Sequence, residues 1–194
     1  MGRPREVSDD KILRAARRCF LERGAGVSAA DIAGELGVSH TTLFNRFGSK
    51  EGLMLAALGP PKEIEWVLAL EAGPDARPLR DQLVEHVKAM ASYFRDLQAG
   101  FGVLQAAGID PKKAYRECKT ESAPEHAYRA LVSFLKHAQR EKRLAKCDVE
   151  TLATTLLAAL HGWTSTTRVC GNAPGAGDAW VERFVDLLWE GIGP

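Results

Sequence analysis

The sequence has almost no net charge: 26 Lys and Arg stand against 25 Asp and Glu over 194 residues, leaving +1. It therefore lacks the global basic field that draws many proteins to nucleic acid, and any such role has to rest on local geometry. No stretch reaches the roughly 18–20 consecutive apolar residues that a membrane-spanning helix needs. The opening run from Met1 to Ser8 is polar and has no apolar core, unlike a secretory signal. Both absences predict a cytoplasmic protein with no membrane partner. The four cysteines, Cys19, Cys118, Cys147 and Cys170, lie far apart without C-x-x-C spacing. They read as reduced, mostly packed thiols, with a redox-sensing thiol as the alternative that nothing singles out. The histidines are isolated, and neither H-x-x-x-H nor a carboxylate triad occurs, so no metal or cofactor is expected. A nucleophile–base pair and a phosphate-binding glycine loop are also missing, which weighs against an all-helical enzyme.

What is present is helical periodicity. Val, Ile and Thr never alternate with polar residues over a strand's length, whereas apolar residues recur at i, i+3 and i+4 throughout. The predicted fold class is all-α. Breaks fall at Gly59-Pro60-Pro61, Gly73-Pro74, Gly108-Ile109-Asp110-Pro111, Ser122-Ala123-Pro124 and across 171–177, where proline removes a donor and glycine relaxes the backbone. The first is taken as a domain boundary, dividing 1–58 from 59–194. Short helices are expected up to Leu58, then helices near 61–72, 78–99, 101–107, 111–119, 124–141, 148–169 and 177–192. Residues 1–50 hold nine Lys and Arg against six Asp and Glu, a small positive surplus.

In the first domain Ser8 can cap a helix whose apolar face is Ile12, Ala16 and Phe20, with Leu13 beside them. Ser28 followed by Asp31 approximates a capping box for a second helix, with Ile32 and Leu36 inward and Gly37 at its end. Ser39 caps a third, short helix running to about Phe47. Two such helices joined by a tight glycine-containing turn form the unit that lays its second helix in the major groove. At 100° per residue Leu43 and Phe47 share one face, while Thr41 and Asn45 point away from it. Asn can bond adenine in a bidentate way, and Thr offers a hydroxyl and a methyl for thymine. Ser49 can cap a fourth helix, and Lys50 then lies at an N-terminus suited to phosphate.

The run Val27 to Leu53, with its capping Ser28, Ile32-Ala33, Gly37-Val38-Ser39, Leu43-Phe44, Phe47 and Ser49-Lys50-Glu51, resembles the DNA-binding signature of the TetR family of transcriptional regulators. The similarity covers residues 8–58. It implies phosphate contacts at Ser28, Thr42, Phe44, Arg46 and Lys50, with Ser39 as the cap of the reading helix. It implies base reading at His40, Thr41 and Asn45. Phe44 stands where the family usually has Tyr; without a hydroxyl it either packs against sugar or pyrimidine methyls or is a partly buried prop for the helix. His40 is a DNA contact or an idle surface residue. Arg3 and Arg5 form either a minor-groove arm or a disordered terminus.

The resemblance also implies a repressor that binds double-stranded operator DNA as a homodimer and leaves it when a small-molecule effector binds. Apolar stripes on the last two helices, Leu156, Leu160, Trp180, Phe184, Leu187 and Leu188, would form the dimer interface or simply fill the chain's own core. A hydrophobic effector would meet Trp66, Met90, Tyr93, Phe94, Phe101, Leu104, Tyr128 and Trp163, with His86, His126, His137 and His161 as polar contacts. A DNA-binding regulator without an effector is the alternative.

Overall fold

In the computed structural model residues 7–117, 123–170 and 177–192 are described, and among them every regular element is a helix. In chain order these are α1 (Asp9–Arg23), α2 (Ala29–Leu36), α3 (His40–Phe47), α4 (Lys50–Leu58), α5 (Glu65–Glu71), α6 (Leu79–Ala106), α7 (Lys112–Glu117), α8 (Ala123–Arg140), α9 (Val149–Cys170) and α10 (Asp178–Ile192). None of them is long and apolar enough to cross a membrane. Arg3 and Arg5 lie outside the described residues.

The chain forms two compact units, and a single cut does not separate them. One comprises Met1–Lys62 with Leu97–Lys119, the other Glu63–Asp96 with Thr120–Pro194. The first therefore recruits the end of α6 and all of α7 in addition to the N-terminal helices. Gly100 explains part of this. A side chain there would place its Cβ 2.4 Å from the Leu58 carbonyl oxygen, so only glycine lets α6 meet the end of α4 this closely. The sequence reading treated the glycine as a break between 78–99 and 101–107; instead α6 runs unbroken. Glycine weakens a helix but keeps its N–H, and tertiary packing outweighs the propensity loss.

The core of the first unit gathers Ile12, Ala16, Phe20, Ile32, Leu43, Leu53 and Leu58 with Leu104, Ile109 and Ala114. Helices α1 to α4 each have a serine cap: Ser8, Ser28, Ser39 and Ser49 all accept a bond from a backbone amide of the first turn. Ser28 and Asp31 complete the capping box reciprocally. Gly37 closes α2 in the left-handed region at φ 67°, where a side chain would be strained, and the chain turns there into α3.

The second unit centres on Trp66, Leu70, Leu83, Val87, Met90, Leu131, Phe134, Leu135, Ala153, Leu156 and Leu160, drawn from α5, α6, α8 and α9, with Val181 and Val185 of α10. Arg80 and Lys88 of α6 bond Asp186 and Glu182 of α10 at 2.5 Å and 2.6 Å, which fixes how α10 lies against this unit. Trp180 stacks between Trp163 and Phe184, at centroid distances of 4.4 Å and 4.9 Å.

Candidate nucleic-acid interface

Helix α3 divides as its sequence periodicity predicts. Leu43 is 1% exposed and Phe47 lies half-buried against the same core, while Thr41 and Asn45 are exposed. His40 is also exposed, and its ring meets that of Phe44 edge-on at 6.1 Å. Phe44 itself is 38% exposed. The Ser39 and Thr42 hydroxyls are 2.9 Å apart, and Thr42 donates its backbone N–H to Ser39 Oγ at 3.2 Å. Ser28 Oγ lies 2.7 Å from Asp31, which the bond holds below the usual carboxylate range.

The long cations behave differently from the short polar residues. Arg46 Nη1 donates to Asp9 at 2.9 Å and to the Val7 carbonyl, tying α3 to the start of α1. Lys50 Nζ donates to the Ala25 carbonyl at 2.7 Å. Arg17 reaches the Ala57 carbonyl at 3.1 Å, near the end of α4. Glu35 of α2 accepts from both Arg18 and Arg23 of α1, and the Arg18 bond above all holds its carboxyl below the usual range. Cys19 also touches Glu35, at 3.4 Å, and burial pushes its thiol up. Arg18 and Arg23 thus lock α1 to α2. Nothing in the local sequence marked Glu35 as their common partner.

An open groove of about 490 Å³ runs beside α3 and α4, lined by Arg46, Phe47, Ser49, Glu51, Gly52, Leu55, Ala56 and Lys113. Lys113 of α7 bonds Glu51 there at 2.9 Å. The sequence reading did not include Lys113, which approaches α4 only through the fold.

Residues 12–57 match the signature of the bacterial regulatory proteins of the tetR family. The HTH-type transcriptional repressor BdcR of Escherichia coli K12 is 27% identical over 186 residues, covering 92% of this chain and 91% of that protein. The segment 12–57 is therefore a DNA-binding segment of the tetR type. A TetR-family regulator from Mesorhizobium loti superimposes with a TM-score of 0.68 over 96% of both chains at 17% identity. A transcriptional regulator from Saccharomonospora viridis, solved in complex with choline, gives 0.66 over 94% of this chain and 96% of that one at 24% identity. The chain is thus similar over most of its length to a DNA-binding transcriptional regulator and carries the N-terminal helix-turn-helix of one.

The remaining candidate residues separate by unit. Trp66, Met90, Tyr93, Phe94, Tyr128 and Trp163 belong to or border the core of the second unit. Phe101 and Leu104 belong with the core of the first. His86 is partly buried edge-on to Phe134 at 4.8 Å, and burial pushes its imidazole down. His126 lies 2.6 Å from Glu71 and His137 3.4 Å from Glu141, both at the surface. Among the expected dimer residues Leu156 and Leu160 are buried in the unit's own core. Trp180, Phe184 and Leu188 are half-buried, and Leu187 is 69% exposed.

Proposed function

We propose that this chain represses transcription as a twofold dimer, reading a palindromic operator with α3 and releasing it when an apolar small molecule binds. The carrying observation is the split of α3, with Leu43 sealed inside and Thr41 and Asn45 exposed. Short polar side chains on a helix held from behind can enter the major groove without first being freed from other partners. In this reading Asn45, Thr41 and His40 meet base edges. Ser28, Ser39, Thr42, Arg46 and Lys50 meet phosphates, the two cations exchanging present partners for the backbone.

One α3 spans too few base pairs for selective binding, and two copies related by a twofold axis place half-sites about one turn apart. Trp180, Phe184, Leu187 and Leu188 supply the pairing face. Residues 1–58 form the reading domain and 59–194 the sensing and pairing domain, in the cytoplasm. The name of BdcR supports repression, and the choline complex shows that a relative's fold can hold a small molecule. Release follows if effector binds better to a form whose two α3 helices are wrongly spaced.

The test is binding to DNA from upstream of the protein's own gene and to a selected duplex library. Asn45→Ala should change preference at particular base pairs by about 1–3 kcal/mol. Lys50→Ala should weaken all sequences alike and lower the salt slope by about one unit. An Asn45→Ala profile identical to that of the unaltered protein would sink the assignment of α3 as reader.

A further inference from the structure

Lys113 lies far beyond the helix-turn-helix in sequence, and the fold returns it there. It is the second residue of α7, which is seated against α4. Ala114 is 3% exposed in the core of the first unit, and a Cβ on Gly59 would stand 2.8 Å from that of Ala114. The start of α7 is fixed as well. Asp110 accepts the Lys112 backbone N–H on its carboxylate at 2.9 Å and the Lys113 N–H on its carbonyl at 3.0 Å. From this base the Lys113 ammonium reaches Glu51, in the first turn of α4 and next to Lys50, at 2.9 Å. Lys113, Glu51, Ser49 and Arg46 line one open groove beside α3 and α4, all within the first unit.

As a folding contact the pair is weak. The two side chains are 53% and 48% exposed, and ion pairs so exposed add little to stability. Its meaning for a bound polyanion is larger. Glu51 suits the positive end of α4, yet its carboxylate repels any phosphate brought to that same end. Lys113 cancels this charge from a different element. An ammonium carries three donors, and the bond to Glu51 occupies one of them, so the same group can also turn to a phosphate oxygen. The groove's other cation, Arg46, is 29% exposed and is tied to Asp9 and the Val7 carbonyl.

We propose that Lys113 belongs to the DNA interface: with Glu51 still beside it, its ammonium contacts a backbone phosphate of the operator lying along the groove beside α3 and α4. The assignment rests on the reading of α3 as the DNA reader and extends that interface to α7. The contact carries no base information, because every nucleotide presents the same phosphate.

The experiment measures the full chain by fluorescence anisotropy on a duplex selected from the library and on its scrambled form, between about 50 and 200 mM salt. Lys113→Met should weaken both duplexes alike and lower the slope of log affinity against log salt by about 0.9, the signature of one phosphate contact. Its penalty should therefore shrink about three- to fourfold from the lowest salt to the highest. Lys113→Arg should keep the slope. Lys112→Met removes an equal charge from the exposed neighbour and should leave the slope nearly unchanged. In a Glu51→Gln background Lys113→Met should still lower the slope by the same amount. An unchanged slope in Lys113→Met, an equal fall in Lys112→Met, or an effect that vanishes with Glu51→Gln overturns the contact. The last would mean that Lys113 only neutralises Glu51. In each of these cases an altered base preference in Asn45→Ala would leave α3 standing as the reader. If the unaltered protein binds neither duplex, the reader assignment and this contact fall together. Lys113→Gln repeats the measurement should the methionine variant melt early.

Discussion

In the proposed complex, position 44 governs how closely α3 holds the DNA backbone. Its phenylalanine ring is exposed and braced edge-on by His40, so the position is accessible but has no polar atom to offer. Phe44→Tyr adds a hydroxyl to that exposed flank without disturbing the core. It should tighten binding to matched and scrambled duplexes alike by about 0.5–1.5 kcal/mol, with an unchanged melting temperature. Fluorescence anisotropy on both duplexes measures this; unchanged affinity for both would place the ring away from phosphate. At this scale the sequence was informative wherever one helix's periodicity decided the outcome. Thr41, Leu43 and Asn45 took the positions that a 100° wheel assigns. The long cations were not legible, because Arg17, Arg46 and Lys50 find partners 40, 39 and 25 residues away. A flexible stem can satisfy its charge in many directions, and only the assembled fold selects one.

Among the elements, α6 gives the sharpest contrast between local and tertiary preference. Propensity alone would favour alanine over glycine at position 100 by about 1 kcal/mol. The Leu58 carbonyl, 2.4 Å from where a Cβ would stand, reverses the sign, because a backbone atom cannot rotate aside. Gly100→Ala should cost about 1–3 kcal/mol in denaturant unfolding. Gly34→Ala in α2, where nothing lies within 4 Å, should be neutral or stabilising by up to about 1 kcal/mol. A gain from both would mean that α4 and α6 do not press together. The same contact explains why the sequence reading split α6: glycine marks a helix end and a close helix approach with the same letter. Helix ends with two independent signals, such as Ser39 before α3 or Pro60-Pro61 after α4, were legible from sequence.

For the whole molecule, the proposed pairing depends on α10. Arg80 and Lys88 hold one flank of that helix through Asp186 and Glu182, and Leu187 stands exposed. Leu187→Glu should give a monomer by analytical sedimentation and lower operator affinity about tenfold or more, with helicity unchanged. A dimer that survives this change would place the twofold contact elsewhere. The knot of Arg18, Cys19, Arg23 and Glu35 has a further consequence for how signals reach the reading domain. Glu35 titrates below the usual carboxylate range, so its contribution is complete above about pH 4.3 and fades only as pH falls through its lower folded value. Cys19, buried and with its thiol pushed up, holds little thiolate near neutrality and should resist thiol reagents until the protein unfolds. Mild acid and ordinary oxidants therefore have no purchase on this joint between α1 and α2. The part that touches the genome is chemically deaf at that joint, and what it learns there must arrive as movement.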